Sequence, residues 1–139
     1  MIATVESYHD RYARNLACIE TDHTNAIDRI AAYTRLYVLG LDRGLGCLCA
    51  ALAAELGPLP ESLRMRAMRF FEDHIAWIER IYTTGLDRRE VNPDLSASEA
   101  ARMVVSILEG SLMMERMLLG REGFDVTRRA MLKSLARTI

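Results

Sequence analysis

The stretch "SASEAARMVVSILEGSLMMERMLLG", Ser96–Gly120, decides the fold. Its apolar residues return at three- and four-residue steps, the period of a helix rather than the strict alternation of a half-buried strand. Ser96 and Glu99 stand in the Ser-x-x-Glu spacing of a capping box, in which each side chain accepts from a backbone amide that the first turn leaves unpaired. A helix therefore starts near Ala97. One stripe carries Met103, Ile107, Met114 and Leu118, and Val104, Leu108, Ser111 and Met117 lie on or near the adjoining one. A helix apolar on nearly every side must be internal or must meet another subunit.

Working outward, the same period runs through the whole chain, so the expected fold is all-α, a single domain over residues 1–139 of about six helices. The first spans about Ile2 to Glu20, with Tyr12, Leu16 and Ile19 on its apolar face. The second follows "TDHTN", where Thr24 or Asn25 can cap it, and carries Ile27, Ile30, Tyr33 or Thr34, Tyr37 and Leu41. A third, short helix is "GLGCLCAALAAEL", Gly44 to Leu56, closed by "GPLP" because proline has no amide to donate. The fourth starts near Pro60. Leu63, Ala67, Phe71, Ile75, Ile78 and Tyr82 form one strip and Phe70, Trp77 and Ile81 another, which places it centrally in the domain. Asp125 can cap the last helix, whose apolar residues include Val126, Ala130, Met131, Leu132 and Leu135.

Composition narrows the function. The chain has 139 residues, 50% hydrophobic and 27% charged, which suits an ordinary globular domain. No apolar run approaches the roughly 20 residues that span a bilayer, and the opening "MIATVESYHDRYARN" has no signal-peptide pattern, so the expected compartment is the cytoplasm. A net charge of -1 argues against a broad nucleic-acid footprint. Three cysteines, all in helical patterns, read as free thiols rather than a disulfide framework.

Chemical motifs are scarce. Cys47 and Cys49 on one helix point about 200° apart, and His9, His23 and His74 have no histidine at the four-residue step, so neither a metal nor another cofactor is expected. No phosphate loop, dinucleotide fingerprint or Gly-x-Ser-x-Gly elbow occurs, which argues against an enzyme. What remains is a deformable, amphipathic interior of aromatic residues and eight methionines, suited to an organic ligand. The candidate pocket is Tyr12, Tyr33, Tyr37, Cys47, Phe71, Ile75, Trp77, Ile78 and Tyr82. The candidate dimer interface is Met103, Ile107, Gly110, Ser111, Met114, Leu118, Val126 and Ala130, with Gly110 and Ser111 small enough for a second helix to come close.

"GCLCAALAAELGPLP", then "FFEDHIAWIERIYTTGLDRREVNPDL", then "AARMVVSILEGSLMMER" resemble the ligand-binding and dimerisation domain of TetR-family transcriptional regulators. The likeness rests on a Gly-Cys-Leu start, a Phe-rich long helix containing Ile-x-Trp, and Glu-Gly in the penultimate helix, in that order. It implies an effector cavity among the earlier helices and a homodimer built as a four-helix bundle from the last two. It also implies a DNA-binding head that this chain lacks, so the expected molecule senses a small organic effector without binding an operator by itself. Arg89 departs from the pattern, since related sequences usually have glycine before Glu90. A thiol sensor of electrophiles or oxidants through Cys47, near a helix N-terminus, is the alternative in the same fold, and a stand-alone small-molecule-binding helical protein is another.

Overall fold

Hydrophobic period becomes helix almost wherever it was expected. The computed structural model describes residues 2–42 and 60–138. Within them lie five helices: α1 (Ile2–Asp22), α2 (Ala26–Asp42), α3 (Glu61–Asp87), α4 (Ala97–Glu115) and α5 (Arg121–Leu135). The expected short third helix, with Cys47 and Cys49, lies outside the described residues.

The helix starts have local causes. Asn25 Oδ1 accepts from the Ile27 amide at 2.8 Å and the Asp28 amide at 3.4 Å, so Asn25 rather than Thr24 caps α2. The capping box of α4 is complete: the Glu99 amide donates to Ser96 Oγ at 3.1 Å and the Ser96 amide to Glu99 Oε1 at 2.9 Å. Those Ser96 hydrogen bonds hold the Glu99 carboxyl below its ordinary range.

One boundary is corrected. The last helix begins at Arg121 behind Gly120, and Asp125 sits inside it, pairing with Arg128 at 3.2 Å instead of capping. The start lies earlier because Gly120, at φ 60°, closes the turn that follows α4. The carboxylate that reaches the new helix comes from α4: Glu115 is buried and accepts from the Leu119 amide at 3.2 Å.

α3 packs on α1, α2 and α4, and α2 touches all four other helices, so the central position expected for α3 is shared with α2. Ile30, Tyr33, Phe70, Ile78, Ile81, Tyr82, Val104, Leu108 and Phe124 form the heart of one core. The segment between α3 and α4 is pinned to the chain end by the Val91–Ala136 bridge and by the Asn92 amide donating to Leu135 O at 2.8 Å. Glu90 Oε1 accepts from the Ala26 amide at 3.0 Å, which ties the same segment to the start of α2.

Candidate functional site

The core carries a polar thread across three helices. α2 presents Tyr33 and Tyr37 one turn apart, α3 presents His74, and α4 presents Glu109. Tyr33 Oη is 2.7 Å from His74 Nδ1 and 3.0 Å from Tyr37 Oη, and the Tyr37 hydroxyl donates to Glu109 Oε1 at 2.9 Å. Tyr33, Tyr37 and His74 are at most 3% exposed, so these bonds form in a low dielectric. His74 Nε2 is buried with no hydrogen-bond partner among the described residues.

Rings enclose the thread. Phe70 lies 4.0 Å from the His74 ring, Tyr12 lies 5.1 Å away, and Trp77 stacks on Tyr33 at 5.7 Å. Burial pushes His74 down to about 3 from 6.5, with the charge of nearby His9 adding to the shift, so the imidazole is neutral near neutral pH. Such a site offers apolar faces and a few fixed polar atoms, the ordinary design of a pocket for small organic molecules.

The candidate pocket residues divide accordingly. Tyr12, Tyr33, Tyr37 and Trp77 come together around His74, and Phe71 joins the edge of the cluster at 5.7 Å from Phe70. Ile78 is plain core and Ile75 packs against it. Tyr82 stands two turns beyond His74, where its hydroxyl donates to Asn92 O at 2.6 Å and holds the α3–α4 connection. Cys47 lies outside the described residues. Sequence reasoning did not include His74, Phe70 and Glu109 in this cluster. The available signal was that His74 continues the Phe70, Trp77, Ile81 strip, which makes it a buried histidine.

Two outer surfaces adjoin this core. A groove of about 500 Å³ runs between α1 and α3, lined by Ala13, Leu16, Ala17, Ala76 and Trp77 with Glu20, Asp73 and Arg80. Its ends are tied by His9 to Asp73 at 2.8 Å and by Arg80 to Glu20, the latter keeping the Glu20 carboxyl below its usual range. On α4, α5 and the turn between them, Met103, Met114, Leu118 and Val126 are exposed, and so are Met113, Met117 and Leu119, which the expected interface had not included. Gly110 and Ala130 are also exposed and Ile107 is half-buried, whereas Ser111 is 5% exposed and lies inside the protomer.

Among the described residues no group of three His, Cys, Asp or Glu side chains could hold a metal ion, and no helix is long and apolar enough to cross a membrane.

Residues 26–131 match the family model described as tetracyclin repressor-like, C-terminal domain. The chain is 22% identical over 120 residues to the HTH-type transcriptional repressor DhaR of Mycobacterium sp. (strain GP1), a stretch covering 86% of this chain and 60% of that protein. The chain thus spans about 60% of the length of that curated relative. A TetR-family regulator from Agrobacterium tumefaciens superposes with a TM-score of 0.90 at 19% identity, over 96% of this chain and 71% of its own. The regulatory protein TetR from Rhodobacter sphaeroides has a TM-score of 0.84 at 22% identity, over 96% and 73%. Reduced E. coli NemR has 0.83 at 20%, over 97% and 72%.

Proposed function

The chain belongs to the tetracyclin repressor-like C-terminal domains, and from that premise we propose that it is the effector-sensing and dimerising domain of a TetR-like transcriptional regulator. The observation that carries effector sensing is the thread from His74 through Tyr33 and Tyr37, buried among rings, to the half-buried Glu109. Buried polar groups normally end in satisfied networks, and an unpaired one costs about 1–3 kcal/mol. A ligand that completes the network recovers that cost.

Occupancy and movement are coupled by burial. His74 is 1% exposed, so a molecule reaching it has to part α3 from α1 or α2. Binding then favours one arrangement of these helices over another, which is how an effector biases a regulator. The test is a thermal-shift screen of small aromatic and alicyclic compounds. Compounds that raise the melting temperature of the wild type and lose that effect in Tyr37→Phe support the reading; a screen in which every stabilising compound acts equally on both proteins removes it.

Dimerisation is supported by the exposed apolar residues of α4 and α5 and by Gly110, which has nothing among the described residues within 4 Å of where a Cβ would stand. A small residue in open space leaves room for a partner helix rather than relieving a contact within the protomer.

A further inference from the structure

The protons in the buried thread can be counted. Three hydrogen bonds join His74, Tyr33, Tyr37 and Glu109, and the two phenols supply one proton each. Tyr37 gives its proton to Glu109 Oε1, so the 3.0 Å bond between the phenols uses the proton of Tyr33. The 2.7 Å bond from Tyr33 Oη to His74 must then be made by a proton on Nδ1. In a neutral imidazole this leaves Nε2 bare. If Tyr33 gave its proton to His74 instead, the two phenol oxygens would face each other at 3.0 Å with no proton between them. All three bonds therefore run one way, from His74 toward Glu109, and polarise one another. The chain begins at an open lone pair on Nε2, buried and without a partner among the described residues.

We propose that the effector is recognised as a hydrogen-bond donor: a small uncharged ring compound with a hydroxyl or N–H whose proton is directed to His74 Nε2, its ring seated among Tyr12, Phe70 and Trp77. The inference rests on the effector-sensing reading and adds the polarity of the ligand to it. A donor arriving at Nε2 lengthens the run to four aligned hydrogen bonds, whereas an acceptor there would meet the lone pair and be repelled. Isosteric rings without a donor leave Nε2 unsatisfied, so the site discriminates by one proton rather than by shape.

The test uses the full chain with ¹⁵N-labelled histidine. Long-range ¹H–¹⁵N correlation in the ligand-free protein is expected to show His74 protonated on Nδ1 and bare on Nε2, the assignment made with His74→Asn. Titration with 2-naphthol is then expected to move the Nε2 resonance and to bind about tenfold tighter than its methyl ether, 2-methoxynaphthalene, which has the same rings and no donor. His74→Asn places an amide near the position of Nδ1, keeps a donor for Tyr33 and removes the distal acceptor. In that variant the preference for the naphthol should vanish. Protonation on Nε2 in the free wild type overturns the proposal whatever binds. Equal affinity for the two compounds overturns it while the effector-sensing reading stands, and failure of both to perturb His74 overturns the two together.

Discussion

Arg89 holds φ 58°, in the left-handed region that costs a side chain with a Cβ about 1–2 kcal/mol. It stands where glycine would have been usual, so the departure visible in the sequence is a real local strain. Arg89→Gly should stabilise the domain by about 0.5–1 kcal/mol, since glycine's greater unfolded-state entropy offsets part of the gain, and urea unfolding measures it. His74 gives a pH dependence. Its folded-state pKa of about 3 lies below the ordinary 6.5, so between those values the unfolded chain binds more protons. The contribution is complete above about 6.5 and drains away as pH falls toward about 3, by up to about 1.4 kcal/mol per unit. Between pH of about 7 and about 5 the wild type should lose about 2 kcal/mol more than His74→Asn, read from urea midpoints at the two pH values.

The junction of α4 and α5 shows what a single element can hide. A glycine inside a helix ordinarily lowers its stability, yet a Cβ built on Gly123 would fall on the buried Glu115 carboxylate. That carboxylate lies beside the start of α5, where no side chain caps Gly120 and the backbone amides favour negative charge. Gly123→Ala should therefore expel Glu115 and destabilise the domain by about 2–3 kcal/mol, despite alanine's higher helix propensity, as a calorimetric melt will show. The opposite outcome, a stabilised protein, would mean that Glu115 moves aside freely. This pairing explains why the α5 start was misplaced on Asp125. The carboxylate beside that start comes from the preceding helix, whereas the Ser96–Glu99 box lies within four residues of sequence and was legible there.

At the scale of the molecule, the exposed apolar surface concentrates on α4, α5 and their connection, with Met117 87% exposed and Leu118 and Leu119 66%. In the proposed dimer this surface would meet the partner subunit. The double variant Met117→Glu, Leu118→Glu should shift sedimentation from dimer to monomer at micromolar concentration while leaving the far-ultraviolet circular dichroism unchanged. A wild type that sediments as a monomer would remove the premise. The sequence by itself determined the all-helical class, the starts of α2 and α4 and the surplus of apolar surface, because helical period and capping act within about four residues. It named Tyr12, Tyr33, Tyr37 and Trp77 as candidates without saying what joins them. The tertiary structure alone decided that, since the hydrogen bond between His74 and Tyr33 crosses 41 positions and that from Tyr37 to Glu109 crosses 72. It likewise sent Tyr82 to the connection and Ser111 inward. Which face of a helix meets which neighbour is set by packing among distant segments, and a local pattern shows only that the face is apolar.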